Sequence, residues 1–127
     1  MNESNIILKL HLRLISSKQY IFPKTGQINV NANHGVYIIY SPRNIVLHVG
    51  TTKRAKGGLN QRLYNHLTGA SSFSNAYLKK KNISLRNSYK YRYLEVKDSR
   101  KRALLEALSI GLLCPKHIGT GEKLIKQ

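Results

Sequence analysis

A few residues of this chain have the side-chain types that breaking a phosphodiester bond requires. Tyr37 and His48 lie in neighbouring apolar runs, Arg62 and His66 are one helical turn apart, and Glu106 interrupts a leucine-rich segment. Phosphodiester hydrolysis needs a group that activates water, a cation that neutralises charge on the phosphate, and a site for a divalent metal. Tyrosine or histidine, arginine and glutamate supply these three functions.

Glu106 is the sharpest of these signals because carboxylates are scarce. The 127 residues include 22 Lys and Arg but only five Asp and Glu, a net charge of +17. Desolvating a lone carboxylate between leucine-rich turns costs roughly several kcal/mol, so Glu106 should face a cleft, a cation or a partner. A helix salt bridge with Arg102, worth a few tenths of a kcal/mol, is the alternative to a metal.

The charge balance predicts a polyanionic partner, with nucleic acid first and an anionic membrane surface second. No stretch approaches the ~18 to 20 apolar residues of a transmembrane span, and the N-terminus has no signal-peptide pattern. These patterns predict a cytoplasmic, intracellular protein. Cys114 is the one cysteine, which excludes a disulfide framework and a cysteine-rich zinc site. Its place at a helix end predicts a small buried side chain.

Strands and helices can be placed from periodicity and turn residues. Residues 34–41 and 45–51 are β-branched and aromatic runs joined by Pro42-Arg43-Asn44, which predicts a hairpin. A helix follows, with leucines at helical spacing over 59–67 and Gly69 at its end.

The second half adds a third strand and two more helices. A serine-capped short helix is predicted over 71–78, and tyrosines alternate along 89–95 like a strand. Asp98 should cap a helix from about 100 to 113, which Pro115 stops. The predicted class is α+β, with a small three-stranded antiparallel sheet flanked by helices. Residues 5–33 fit a strand and a helix equally well.

Several short motifs occur in an order and spacing more specific than any one of them. They are Gly35-Val36-Tyr37, His48-Val49-Gly50, Arg62, His66 and Glu106 followed by Pro115. Together, over residues 34–117, they resemble the active-site set of the GIY-YIG nucleases. The resemblance implies an endonuclease that cuts DNA, ahead of RNA, with Mg²⁺ or Mn²⁺. It divides the chain into an N-terminal extension, 1–33, and a GIY-YIG-like nuclease domain, 34–127, in a monomer or homodimer.

The resemblance also implies roles for individual side chains. Tyr37 matches the first motif tyrosine, which positions or deprotonates the attacking water. Arg62 matches the arginine that stabilises charge on the scissile phosphate, a task that suits a planar guanidinium. His66 would orient the phosphate or Tyr37, and Glu106 would hold one metal ion.

Two positions depart from the family pattern. His48 stands where the second triplet usually begins with Tyr, and imidazole accepts a proton near neutral pH more readily than a phenol does. The general base is therefore either Tyr37 or His48. The Asn that often follows Pro115 is absent, and His117 is the candidate replacement hydrogen-bonding group. A catalytically inactive nucleic-acid-binding module on the same fold and an RNA-associated basic protein are the alternatives.

The surplus of cations supplies candidate contacts to a nucleic-acid backbone. One group precedes the first helix after the hairpin, where backbone amides can also receive phosphate. The candidate nucleic-acid-binding residues are Lys53, Arg54, Lys56, Lys79, Lys80, Lys81, Arg100 and Lys116.

Overall fold

The computed structural model describes residues 2–53 and 57–119 of the chain. Within these ranges no helix is both long enough and apolar enough to cross a membrane. The elements in chain order are α1 (Glu3–Ile15), β1 (Tyr20–Ile21), β2 (Gly35–Tyr40), β3 (Val46–Thr51), α2 (Gly58–Thr68), a π-helical turn (Ser74–Leu78), β4 (Lys90–Glu95) and α3 (Ser99–Leu113).

The strands form one antiparallel sheet in the order β1-β4-β2-β3. The predicted hairpin is confirmed: β2 pairs with β3, and Tyr37 lies opposite Gly50. A register shift next to Ile39, which lies opposite His48, introduces a bulge into the hairpin. Since alternate residues share a face, His48 lies on the same side of the sheet as Tyr37.

The central strand β2 divides the interior into two cores. Tyr37 and Ile39 belong to a cluster formed with α2 and the segment that contains the π-helical turn. Val36 and Ile38 belong to a second cluster, formed with α1 and α3. The α+β class with helices flanking a small antiparallel sheet is thereby confirmed, and both helical layers reach the edge strand β3.

The sheet has four strands where the sequence predicts three. The additional strand, β1, is two residues long and pairs Tyr20 with Tyr91. Two residues are too few for an alternating pattern to show in a sequence. The Tyr20 ring stacks on Tyr91 and Tyr93 at centroid distances of 5.5 and 5.8 Å, so side-chain packing holds this short strand in place.

The ambiguous N-terminal segment begins with a helix. Ile7, His11 and Leu14 form the buried face of α1 at helical spacing, and a histidine in that face obscures the apolar period. Helix α1 contacts α3 and β4, so the stretch 1–33 contributes to the same layers as the residues that follow it.

The two ends of α3 confirm one prediction and correct another. Asp98 caps the helix as predicted, because its carboxylate accepts a hydrogen bond from the Lys101 backbone N–H at 2.9 Å. Cys114 is exposed, not buried. It occupies the left-handed C-cap position, φ 48°, where the chain leaves the helix and the side chain turns away from the core.

Candidate active site

The predicted catalytic residues meet in a cleft of about 310 Å³ beside the edge strand β3. Helix α2 from one side of the sheet and α3 from the other both contribute to its walls. The lining includes Tyr37, His48, Lys53, Arg62, Glu106 and His117. His66 lies directly behind Tyr37 and completes the predicted set from within the core.

Two glycines of the motif triplets are required by close approach. A Cβ on Gly50 would lie 2.3 Å from the Tyr37 hydroxyl oxygen, so any side chain there would displace the tyrosine. A Cβ on Gly35 would lie 2.3 Å from the Leu94 carbonyl oxygen of the neighbouring strand. The absence of a side chain at Gly50 leaves room for the Tyr37 ring over β3. The absence of one at Gly35 permits the β2–β4 pairing that holds this ring.

Tyr37 heads a chain of buried hydrogen bonds. Its hydroxyl is 2.6 Å from His66 Nε2, and His66 Nδ1 is 2.7 Å from Ser71 Oγ. Ser71 Oγ is in turn 2.9 Å from Ser74 Oγ and accepts from the Ser74 backbone N–H at 3.1 Å. Ser74 Oγ donates to the His66 carbonyl oxygen at 2.9 Å, which closes the network.

This network determines which nitrogen of His66 carries the proton. Because the Ser74 hydroxyl donates its one proton to a carbonyl, the Ser71 hydroxyl must donate in the bond between the two serines. Ser71 then has only lone pairs left, so His66 Nδ1–H donates to it. His66 Nε2 is consequently unprotonated and accepts from the Tyr37 hydroxyl. The phenolic proton already points at a base.

Burial sets the protonation of this pair. Desolvation raises the pKa of Tyr37 well above its ordinary value, and the positive charge of Arg62 opposes the rise. Desolvation also lowers the pKa of His66 well below its usual range, with further lowering from His48 and Arg62. Both side chains are therefore neutral near pH 7, so Tyr37 and His66 exchange a proton only with each other's help.

His48 is a neutral ring in an aromatic stack. Its ring lies 4.4 Å from that of Phe73 with an interplanar angle of 12°. His48 Nδ1 is 3.3 Å from Nδ1 of His117, a residue predicted to support the site. Burial, followed by the neighbouring His117 and Arg62, lowers the pKa of His48 to about 3. A histidine in this state is a weaker proton acceptor than one with an ordinary pKa.

Arg62 lines the cleft, and one of its buried donors has no partner among the described residues. Its Nε is buried and has no hydrogen-bond partner within residues 2–53 and 57–119. An unpaired buried N–H is costly, at about 1–3 kcal/mol, and in a native structure it calls for an explanation such as a catalytic role or a bound water or ion. The same side chain also lines a second cavity, of about 190 Å³, together with Lys53. An anion with several acceptor oxygens, such as a phosphate diester, matches this arrangement.

Glu106 reaches the cleft without a salt bridge. Among the described residues the single ion pair joins Arg100 to Glu3, and Arg102 instead donates to the carbonyls of Val96 and Lys97. The helix salt bridge considered for Glu106 is therefore not formed. Burial raises the pKa of Glu106, while Lys53 and Arg62 act in the opposite direction.

The donor set around Glu106 fits a hard divalent cation that keeps most of its water. The described part of the chain holds no group of three or more His, Cys, Asp or Glu side chains arranged to bind a metal ion. Mg²⁺ commonly uses only one or two protein carboxylates, together with water and substrate phosphate oxygens. A single half-buried carboxylate facing a cleft next to Arg62 is compatible with that mode of binding.

The candidate nucleic-acid-binding residues lie in different parts of the surface. Lys53 lies in the catalytic cleft, and Lys80, Lys81 and Lys116 line a neighbouring cavity of about 340 Å³. Lys79 points elsewhere, with its ammonium group 2.7 Å from Asn75 Oδ1. Arg100 pairs with Glu3 at 2.8 Å, and Arg54 and Lys56 lie outside the described residues.

Sequence patterns did not identify the groups that support His66 and His48. The sequence indicated Ser71 and Ser74 only as caps of a short helix. In the structure both serines also form hydrogen bonds with His66. The turn at Gly69, φ 86°, folds the segment after α2 back toward the helix and makes this contact possible. Phe73 had no sequence signal as a support for His48.

A comparison with protein families gives a match over the residues of the cleft. No curated protein is similar enough to the chain to count as a match. The model of the GIY-YIG catalytic domain matches residues 33–117, which include β2, β3, the Tyr37–His66 pair, Arg62 and Glu106. That match covers about two thirds of the chain and every predicted catalytic position. The chain belongs to the GIY-YIG family, whose nucleases act on nucleic acid.

Proposed function

We propose that this protein is a metal-dependent endonuclease that hydrolyses phosphodiester bonds of DNA. The observation that carries the proposal is the meeting of Tyr37, Arg62 and Glu106 in one cleft, with a buried Arg62 Nε–H that lacks a partner. The three side chains come from β2, α2 and α3, so only the folded chain brings them together. The family membership also supports the nuclease class.

Arg62 would bind the scissile phosphate and stabilise the charge that builds on it in the transition state. A guanidinium donates paired hydrogen bonds to two phosphate oxygens, and its low-dielectric surroundings strengthen them. Lys53, in the same cleft, adds a second positive charge.

Tyr37 would receive the proton of the attacking water. As the water oxygen bonds to phosphorus, its proton passes to the Tyr37 oxygen and the phenolic proton moves to His66 Nε2. The bond to the leaving ester oxygen breaks, and that oxygen takes a proton from solvent. Burial is the main cause of the lowered His66 pKa, and an anionic phosphate beside Arg62 would offset the further lowering by nearby positive charge, which favours this transfer. We assign the base role to Tyr37 rather than to His48, because the Tyr37 hydroxyl already has an acceptor for its own proton in His66 Nε2.

Glu106 would hold the metal ion, Mg²⁺ or Mn²⁺, with water and substrate oxygens completing the coordination. A divalent ion there would neutralise charge on the phosphate and lower the pKa of bound water. The net charge of +17 favours any phosphate backbone, and DNA is the substrate we propose ahead of RNA.

The test compares Glu106→Gln with Glu95→Gln, which also removes one negative charge but lies outside the cleft and bonds to Asn31 and Asn33. Plasmid DNA and single-stranded DNA are each incubated with each protein in Mg²⁺ and in EDTA. We expect cleavage by wild type and Glu95→Gln in Mg²⁺ only, and none by Glu106→Gln. Gel shifts in EDTA should show equal or slightly tighter DNA binding for both variants, because each has a higher net positive charge.

Each alternative has its own outcome in that assay. Cleavage by Glu106→Gln at the wild-type rate would remove the metal assignment. Gel shifts without any Mg²⁺- or Mn²⁺-dependent cutting by wild type would identify an inactive binding module. Cleavage of a matched RNA in preference to DNA would reverse the substrate assignment.

A further inference from the structure

Three aromatic rings form a stack that leads away from the catalytic cleft. His48 lies on Phe73 at 4.4 Å and 12°, and Phe73 lies on Tyr77 at 5.7 Å and 13°. Phe73 is fully buried, whereas Tyr77 is half-buried at the outer end. Tyr77 lies in the π-helical turn, a rare geometry that is frequent at functional sites. The proposed reaction gives this ring no role.

The Tyr77 ring adjoins a cationic cavity of about 340 Å³. Lys80, Lys81 and Lys116 line it, and its wall also contains His117. His117 lines the cleft of the proposed reaction as well, so the two cavities are neighbours that share a wall. A flat aromatic ring bordered by ammonium groups is the arrangement that proteins use for a nucleobase and its flanking phosphates.

We infer that this cavity binds a nucleotide next to the scissile phosphate, with its unpaired base stacked on Tyr77 and its phosphates on Lys80, Lys81 and Lys116. The inference rests on the proposed nuclease function and specifies its substrate as nucleic acid that is single-stranded or locally unpaired at the cleavage site.

The aromatic ring distinguishes an unpaired base from an intact duplex. Within a duplex both faces of each base are covered by neighbouring pairs, so no face is free to stack on Tyr77 unless the base leaves the stack. Lysines alone would serve either substrate, because they read only phosphate. Phe73 holds Tyr77 from behind, so the platform exists before a nucleotide arrives.

The experiment uses DNA oligonucleotides carrying one 2-aminopurine, a fluorescent base that is quenched when it stacks. Titrations are run in EDTA, so that no cleavage is needed for the readout. The proteins are wild type, Tyr77→Leu, Tyr77→Phe as the variant that keeps the ring, and Lys9→Ala as a charge control. Lys9 is an exposed residue of α1, in the helical layer on the other face of the sheet.

We expect wild type to bind the single strand and to quench 2-aminopurine at one or two adjacent positions. Tyr77→Leu should weaken single-strand binding roughly 5- to 100-fold and abolish the quenching, as the loss of one stacked base predicts. Duplex binding should change less than about twofold, because only phosphate contacts are used there. Tyr77→Phe and Lys9→Ala should retain the quenching.

Equal weakening of single-strand and duplex binding by Tyr77→Leu would overturn the inference. The inference would also be overturned if wild type did not quench 2-aminopurine, or quenched it equally at every position of the strand. This second outcome is measured on wild type alone. A protein that quenches the probe but never cuts DNA would retain this site and lose the nuclease proposal. A protein that cuts intact duplex at the same rate with and without the Tyr77 ring would retain the nuclease and lose this site.

Discussion

The two faces of the sheet each bury a histidine that is bonded through Nδ1 to a serine hydroxyl. On the cleft side His66 is 2.7 Å from Ser71, and on the other side His11 of α1 is 2.8 Å from Ser109 of α3. Both rings are almost fully buried, at 1 % and 4 % exposure. The difference is the second nitrogen: His66 Nε2 accepts from Tyr37, which opens onto the cleft. Burial and a serine partner are therefore common to both histidines, and among the described residues only His66 connects this arrangement to the cleft.

The comparison predicts opposite outcomes for the same substitution at the two sites. His66→Gln should lower the cleavage rate by about 10²- to 10⁴-fold, because Tyr37 loses the acceptor of its proton. His11→Gln should leave the rate per folded molecule unchanged and lower the melting temperature. Rate measurements on protein matched for folded fraction test both. Equal losses of rate in the two variants would make His66 a packing residue like His11.

Replacing the two serine partners should again affect cleavage on the cleft side only, with a smaller loss of rate than the histidine substitution. Ser71→Ala removes the group that keeps the proton on His66 Nδ1, and we expect cleavage to fall about 10- to 100-fold. The lower rate should be accompanied by a changed pH profile, since the protonated His66 ring loses the acceptor of its Nδ1–H and its pKa changes. Ser109→Ala should cost about 1–3 kcal/mol of stability without changing the profile. A Ser71→Ala profile identical to that of wild type would contradict the tautomer assignment.

Acid should destabilise the protein through these buried rings. Burial lowers the pKa of His11, His48 and His66, so in the folded state they stay neutral below the ordinary value of 6.5 while the unfolded chain takes up protons. The unfolded state then binds more protons, and the free energy of unfolding falls as pH drops below about 6.5. Above that pH these groups contribute no slope.

Each histidine can add at most about 1.4 kcal/mol per pH unit to this slope. Urea titrations between pH 5 and 7.5 measure it. His11→Gln and His66→Gln should each reduce the slope by part of this amount, one from each face of the sheet. The Glu106 carboxyl acts in the opposite sense, because burial raises its pKa. A slope unaffected by either substitution would mean that these histidines are protonated in the folded protein.

The smallest expected effect concerns Gly111 in α3. A Cβ on Gly111, within α3, would meet nothing within 4 Å, so Gly111→Ala should stabilise the helix by about 0.5–1 kcal/mol and leave cleavage unchanged. Gly50→Ala is the contrasting variant, since its Cβ would collide with the Tyr37 hydroxyl. Thermal melts paired with cleavage assays distinguish them. Cleavage by Gly50→Ala at the wild-type rate would show that Tyr37 tolerates displacement.

Local patterns were sufficient for much of the fold. The hairpin of β2 and β3, helix α2 and helix α3 follow from periodicity and from turn and cap residues close to them in sequence. The two-residue strand β1 and the helical state of 5–15 did not follow, since each depends on partners far along the chain. Tyr20 is placed by Tyr91 and Tyr93, and the polar His11 is accommodated only because Ser109 receives it.

The candidate site divides along the same line. The sequence by itself determined the residue types, since Tyr37, Arg62 and Glu106 were identified by motif order and by the scarcity of carboxylates. Only the tertiary structure decided that His66 lies behind Tyr37 with Nε2 unprotonated, and that Glu106 lacks the Arg102 salt bridge. Sequence spacing specifies which residues share a strand or a helix face. Hydrogen-bond partners and burial, which set protonation, depend on how separate elements pack.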